Sequence, residues 1–277
     1  MPESTNVAVC GAGYVGSAFA TFAHARGAAV WAVRRSASQT ASEGVQWLQG
    51  DVTSARIAGL PERLDAIVLA VAPSHGTDGY DNTYPPAAAG AVALARETGA
   101  SRLIYTSSTG VYGGRDGEWV MEDHPRDGQG GSNDALRAAE DIVLSSGLAQ
   151  ATVMRVAGIY GPSRDPRRRM QQAEALAQRG QYWTNLAHRD DIVAAIGHLL
   201  TLPEPPTVVN CSDGSPTRAA DVARWLTATS GSDPEALRFG NDAARSRNDQ
   251  RVSNALLVSL GWQPRFPSFR EGFTSGL

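Results

Sequence analysis

Gly11, Gly13 and Gly16, in the stretch "VAVCGAGYVGSAFATFAHARG", stand in G-x-G-x-x-G spacing between an apolar run and an alanine-rich helical one. In a strand-to-helix turn the first such glycine permits the tight bend, the second lets a pyrophosphate approach the backbone, and the third lets the helix lie close to the strand. The helix N-terminus adds amide donors and the positive end of its dipole. With Tyr14 and Val15, these glycines predict a cradle for a dinucleotide phosphate; the plain alternative is a glycine-rich turn. About twenty residues on, where an NAD-binding chain carries an acid for the ribose 2′-hydroxyl, "VWAVRRSAS" places Arg34 and Arg35. A carboxylate repels a 2′-phosphate, whereas a guanidinium grips one in a bidentate fork and stacks on adenine. The expected cofactor is therefore NADP(H) in preference to NAD(H), although two arginines at a strand end also suit a solvated turn. Asp51 and Val52 in "GDVTS", with Ala70, Val71 and Ala72 in "LAVAPSHG", extend the expected cofactor wall. Asp51 would accept from the adenine amino group or, equally, hold a turn.

The elements that must position these residues alternate. "NVAVC", a helix from about Val15 to Arg26, "AAVWAV", "VQWLQ" and "LDAIVLAVA" precede a helix from Pro85 to Thr98, the strand "RLIYTSS", a helix beginning near Asn133 and the strand "ATVMRVAG". Apolar strands alternating with helices predict a parallel sheet covered on both faces. The expected fold is α/β: a Rossmann-type doubly wound parallel sheet over residues 1–160, with a small C-terminal substrate lobe over 161–277 packed on it and returning some elements to the sheet. That lobe is expected to hold a helix from about Asp190 to Leu200, a strand "TVVNC" and a helix from Thr217 to Thr229. A last helix in "RVSNALLVSLGW" is closed by Gly261 and stopped by Pro264 and Pro267.

The chain has 277 residues and is 42% hydrophobic, enough for a sizeable core without staples. Cys10 and Cys211 form no CxxC pair and join no histidine at ligand spacing, so buried thiols are expected, with neither a disulfide nor a metal site. The N-terminus lacks a basic start with a long apolar core, and no apolar run reaches about 18 residues; this predicts a cytoplasmic chain without a membrane partner. A net charge of −3 and the lack of a basic stripe argue against nucleic acid. A small-molecule substrate is the expected partner, and a homodimer is compatible with the chain.

"LIYTSSTGVYG" (residues 103–113), "ATVMRVAGIYGP" (151–162) and "NLAHRDDIVAAI" (185–196) together resemble the extended short-chain dehydrogenase/reductase superfamily, the NAD-dependent epimerase/dehydratase-like proteins. The resemblance runs to the tail "RVSNALLVSLGWQPRFPSFREG" and is greatest for the atypical YeeZ-like members, which share T-S-S-T-x-V-Y-G, R-x-A-G and a shortened cofactor loop. The superfamily usually has two residues between its first two glycines; here only Ala12 intervenes. By this resemblance Ser108 matches the catalytic Ser/Thr that hydrogen-bonds the substrate oxygen, and Thr106 lies nearer the nicotinamide. A Ser/Thr cluster at a strand end also serves as turn chemistry. Tyr112 is a further catalytic candidate whose alternative is packing beneath the site.

The resemblance also exposes a loss. The superfamily's proton donor is a tyrosine followed four residues later by a lysine, and registering Glu140 on the glutamate beyond them puts Ser132 and Leu136 in their places. Residues four apart share a helix face, so the lysine favours the phenolate and lowers the tyrosine pKa from about 10. Serine is a far weaker acid, and leucine has no charge. Arg137 is turned about 100° around the helix and does not inherit the lysine's place. Leu136, Ala139 and Val143 form an apolar stripe, with Asn133 or Ser132 as the expected N-cap.

Candidates for the substrate side are His75 and Tyr84, with Tyr80, in the long loop "PSHGTDGYDNTYPP", where a replacement proton donor could lie; His75 also suits a solvated loop. Arg155 is expected to meet a carboxylate, and Asn185 and His188 match superfamily positions beside the substrate. Asp190 or Asp191 is expected to cap the next helix. Arg164 to Met170, "RDPRRRM", suits an anion or a solvated charge run. Arg251 resembles a tail arginine of sugar-nucleotide relatives, a role not carried over without a sugar-nucleotide signature. The leading reading is an NADP(H)-dependent oxidoreductase, a reductase of a small carbonyl, imine or related metabolite. The alternatives are a noncatalytic NADP(H)-binding sensor or scaffold and a nucleotide-sugar epimerase or dehydratase.

Overall fold

Near-continuous apolar runs become strands buried on both sides, which is why Val7, Ala8, Val9 and Cys10 are all fully buried in the first strand. The structure, a computed structural model, describes residues 5–36, 42–54, 57–73, 79–128, 130–162, 180, 182–229, 231, 233–237 and 249–274. Strands β1 (Asn6–Cys10), β2 (Ala29–Arg34), β3 (Gln46–Gln49), β4 (Ala66–Leu69) and β5 (Arg102–Ser108) join the strands Gln150–Val156 and Val208–Cys211 in one seven-stranded sheet. The order is Val208–Cys211, Gln150–Val156, β5, β4, β1, β2, β3, and the pairings β1–β2, β1–β4, β2–β3 and β4–β5 are parallel. This is the doubly wound sheet the sequence predicts.

Helices α1 (Tyr14–His24), α2 (Tyr84–Thr98) and α3 (Gly131–Leu144) supply the connections. α2 buries a row of small residues, Ala87, Ala88, Ala91 and Ala95, so its backbone lies close to its neighbours. At Gly90 even a methyl group would collide with the Val52 carbonyl. α2 and α3 share a core with the sheet, where Ala91, Ala139 and Val143 meet Ile67, Leu69 and Leu103. Gly99 ends α2 in the left-handed conformation at φ 72°.

The chain divides into two compact units that interleave: Met1–Ser108, Gly130–Arg155 and Ile192–Val209 form one, and Thr109–Gln129, Val156–Asp191 and Asn210–Leu277 the other. Residues from both sides of position 160 contribute to each unit, and the strand Val208–Cys211, from beyond it, joins the seven-stranded sheet. The second unit is built on short pairings. Gly158–Tyr160 lies parallel to Leu186–His188, Trp183–Thr184 antiparallel to Thr217–Arg218, and Trp119–Val120 parallel to Arg251–Val252. Its core gathers Tyr160, Val222, Leu226, Phe269 and Phe273 from the strand Gly158–Tyr160 and the helices Ala219–Thr229 and Phe269–Thr274. The tail departs from its expected form: Arg251 and Val252 pair as strand, the helix covers only Ala255–Ser259, and the helix Phe269–Thr274 follows it. Among the described residues no helix is long and apolar enough to cross a membrane.

Candidate active site

The turn after β1 is held mainly by backbone, with the Ser17 hydroxyl donating to the Gly13 carbonyl at 2.6 Å. The Gly11 and Ala12 N–H groups both donate to the Val33 carbonyl, at 3.0 and 2.9 Å, and the Gly13 N–H turns back to the Gly11 carbonyl at 2.7 Å. Gly11 has φ +90°, and a Cβ there would lie 2.7 Å from the backbone of Ala70 and Val71, so glycine is required by both conformation and space. At Gly16 a Cβ would collide with the Gly11 carbonyl oxygen, and this close approach seats α1 against β1. Gly13 differs. The nearest atom to a Cβ there, beyond its chain neighbours, is the Gly11 oxygen at 4.0 Å.

A glycine whose missing side chain is not displaced by the protein's own atoms marks a face left open, and this one is the N-cap of α1, with no side-chain cap. Helix N-termini present amide donors and a positive dipole end to anions. The cradle therefore fits the pyrophosphate of a dinucleotide, with Tyr14 and Val15 in the first turn. Ala70 and Val71 form its neighbouring wall, and Ala72 is exposed just beyond. Arg34 ends β2 half-buried and donates to the Ser36 hydroxyl at 3.1 Å, while Arg35 is exposed. Asp51 takes the turn role: one carboxylate oxygen accepts from the Thr53 N–H and hydroxyl at 2.9 and 2.8 Å. Val52 packs in the core under α2.

At the end of β5, Thr106 donates to the Leu69 carbonyl at 3.2 Å and ties β5 to β4. Ser108 is half-buried at the last position of the strand. Between them Ser107 is buried, and its hydroxyl donates to Glu140 Oε1 at 2.6 Å. Glu140 is fully buried on α3 and receives Arg155 Nε and Nη2, at 3.1 Å on Oε1 and 2.9 Å on Oε2. Arg155 thus meets the chain's own carboxylate and, at 3% exposure, has no face for a substrate. This corrects the expected substrate contact. A buried cation needs its partner inside the same desolvated volume, and the partner here comes from α3.

The helix that lost the donor pair is packed accordingly. Leu136, Ala139 and Val143 are all buried, while Ser132 is half-buried in the first turn of α3. Gly130, at φ 102°, is the N-cap, and no side chain caps the helix, so neither Ser132 nor Asn133 takes the expected capping role. Arg137 pairs with Asp134 on the outer face. Tyr84, expected in a loop, begins α2 and stacks on Tyr80 with ring centroids 5.8 Å apart. Burial, then Tyr80, pushes its hydroxyl up to about 12, which makes it a weaker acid than an ordinary tyrosine. His75 and the run Arg164 to Met170 lie outside the described residues.

Within the second unit the remaining candidates are interior groups. Tyr112 is fully buried and donates to Asn210 Oδ1 at 2.7 Å, the geometry of packing rather than of catalysis. Asn185 imitates a strand: its Nδ2 donates to the Gln250 carbonyl at 2.8 Å and its Oδ1 accepts from the Val252 N–H at 2.7 Å. His188, 3% exposed, packs edge-on to Tyr160 and 4.2 Å from the Phe266 ring centroid. Its Nδ1 accepts from the Asp190 N–H, and burial lowers its pKa, so the imidazole is held neutral. For Asn185 the expected substrate contact gives way to backbone partners on both polar atoms, and for His188 to burial among aromatic rings with Nδ1 on the backbone. Asp191 does not cap its helix but accepts from the Arg265 and Phe266 N–H groups at 2.8 and 3.1 Å. Arg251 donates to the Gly117 carbonyl and stands over Trp119 and Trp183, 5.1 and 5.2 Å from their centroids.

Sequence reasoning missed the Ser107–Glu140–Arg155 network, although a glutamate one turn beyond Leu136 on the apolar stripe was its signal. Both cysteines are free and buried, with burial pushing the Cys10 thiol up to about 12. Among the described residues no group of three or more His, Cys, Asp or Glu could hold a metal.

A doubly wound sheet with an open glycine at its first helix defines a nicotinamide-dinucleotide binder, and comparison with known proteins agrees. A family model described as NAD(P)H-binding matches residues 11–203, and the chain belongs to that family. It is 29% identical to Protein YeeZ of Escherichia coli K12, over 94% of this chain and 96% of that protein. A structure from Methylobacillus flagellatus, assigned by its describers to the NAD-dependent epimerase/dehydratases, has 29% identity and a TM-score of 0.80, covering 100% of this chain and 98% of the other. The Bordetella bronchiseptica enzyme WbmG, solved with NAD, has a TM-score of 0.82 over 99% of this chain and 93% of its own; at 18% identity that likeness concerns the fold.

Proposed function

We propose that this protein is an NADP(H)-dependent oxidoreductase that reduces a small carbonyl, imine or related metabolite. The observation that carries the reading is the contrast within the glycine loop, where Gly11 and Gly16 are demanded by the protein's own packing and Gly13 is exposed, with room for a Cβ among the described residues. Arg34 and Arg35, standing where an acid would select NAD, carry the preference for the 2′-phosphate. The cofactor, when bound, supplies hydride to the substrate carbon. Gly11 to Gly16 would hold the pyrophosphate, and Ala70 and Val71 would exclude water from one side.

Ser108 orients the acceptor oxygen by donating its hydroxyl proton into a hydrogen bond, and Ser107, fixed on Glu140, holds the strand end that carries it. The proton comes from a donor other than a tyrosine–lysine pair, because Leu136 is packed as core and Ser132 is too weak an acid. Ser108→Ala slows turnover with NADPH affinity preserved; unchanged turnover removes Ser108 from the mechanism.

The buried Leu136 favours one second reading, a noncatalytic NADP(H)-binding sensor or scaffold. Inactivity across a broad carbonyl and imine panel, with tight NADPH binding, selects it, and a single productive turnover ends it. Nucleotide-sugar epimerisation or dehydration fits less well, since it needs reversible proton transfer at the place of Ser132 and Leu136. The proposed partner is a small molecule, in a monomer or a homodimer.

A further inference from the structure

In the second unit, the C-terminal segment 262–274 is held by polar contacts from Asp191, Ser215 and Tyr160, and Asp213 in turn holds Ser215. Asp191 receives the Arg265 and Phe266 N–H groups, at 2.8 and 3.1 Å. Next to the segment, the Ser215 hydroxyl donates to the Pro267 carbonyl at 2.6 Å, and the Ser215 N–H donates to Asp213 Oδ1 at 2.9 Å. Tyr160 donates to the Ser268 carbonyl at 3.3 Å, and Phe273 packs 4.6 Å from its ring centroid. Asp213 is 5% exposed, its N–H donates to the Leu186 carbonyl at 2.8 Å, and its Oδ2 is buried with no hydrogen-bond partner among the described residues.

A buried carboxylate with one oxygen unsatisfied and a second carboxylate's charge acting on it is costlier ionised than protonated, although the protonated form also leaves its O–H without an acceptor. We propose that Asp213 is a proton latch for the C-terminal segment: while Asp213 carries its proton the segment is seated on Asp191 and Ser215, and when Asp213 ionises, the two buried negative charges loosen it.

Burial pushes the Asp213 carboxyl up to about 7, opposed by the Ser215 N–H and reinforced by the charges of Asp191 and Glu271. The other groups facing this cluster do not compensate. Tyr160 and Cys211 are pushed further up and stay neutral, and His188, beside Tyr160 and Phe266, is lowered toward its neutral form. Asp191 is itself raised by burial, and Arg265 is the cation that faces it. The sign follows from linkage. An acid with a raised folded-state pKa stabilises the fold fully below its unfolded value, 3.8, and that stabilisation is lost as pH rises through about 7.

Hydrogen exchange of backbone amides in segment 265–274 of the full chain, at pH 5.5 and pH 8 and corrected for intrinsic exchange, tests the latch. Opening of this segment increases about tenfold or more toward pH 8 in the wild type, while Asp213→Asn, a neutral isostere, changes little. An equal pH response in both proteins, or none in the wild type, overturns the proposal. Should Asp213→Asn fail to fold, carboxyl-carbon NMR of aspartate-labelled wild type decides. One aspartate titrating near 7, with the exchange of segment 265–274 rising over the same pH range, upholds the latch, and all aspartates titrating below about 5 or exchange that does not follow the titration overturn it.

Discussion

α1 and α3 both begin at a glycine without a side-chain cap, Gly13 and Gly130, yet the two starts have opposite fates. At α1 the chain removes side chains and leaves Gly13 exposed, with room for a Cβ among the described residues. At α3 it adds them: Leu136, Ala139 and Val143 pack inward, and Glu140 closes on Ser107 and Arg155. The first start is shaped for a ligand, the second for the protein itself. The lesson is that a ligand-facing position is recognised by what the fold leaves unfilled, not by whether a residue matches a superfamily position.

The contrast breaks most visibly at Glu140. Glu140→Ala leaves the Arg155 guanidinium buried without its carboxylate and should cost about 3–5 kcal/mol in urea unfolding. A cost below about 1 kcal/mol would mean that the α3 network is ornamental. Leu136→Ala should cost about 2–4 kcal/mol, with a cavity beneath α3, and leave NADPH affinity unchanged. Gly16→Ala should cost about 1–3 kcal/mol because the new methyl meets the Gly11 carbonyl, whereas Gly13→Ala should stay within about 1 kcal/mol in stability yet weaken NADPH binding. Equal stability losses at the two glycines would erase the distinction between a packed and an open glycine. Tyr112→Phe, which leaves Asn210 Oδ1 without its donor, should cost about 1–2 kcal/mol, read as a lowered Tm with no change in cofactor affinity.

The strand and helix alternation was legible because it depends on local pattern: every strand of the sheet and α1 to α3 lie within a few residues of where apolar runs and helical periodicity place them. The glycine loop was legible because its spacing between a strand and a helix is itself a local pattern, although Val33, Ala70 and Val71 complete its conformation. Arg155, Asn185 and His188 were not, because the choice of partner is made by tertiary contact. Arg155 finds Glu140 across α3 and the sheet, and Asn185 finds the backbone of Gln250 and Val252, a strand pairing that appears only once the chain has folded. Residue type reports what a side chain can bind; burial decides which of those bonds the protein keeps for itself. Asp213 carried no sequence signal beyond turn chemistry in "CSDGSP", and its buried, unpartnered oxygen emerges only in the fold.

The cofactor claim is tested most directly by fluorescence titration of NADPH and NADH with the wild type and with Arg34→Ala/Arg35→Ala. The wild type should bind NADPH at least about tenfold tighter than NADH, and the double variant should lose that margin while NADH affinity holds, as expected when charged hydrogen bonds to the 2′-phosphate are removed. Equal affinities in the wild type, or a margin that survives the double substitution, would contradict it.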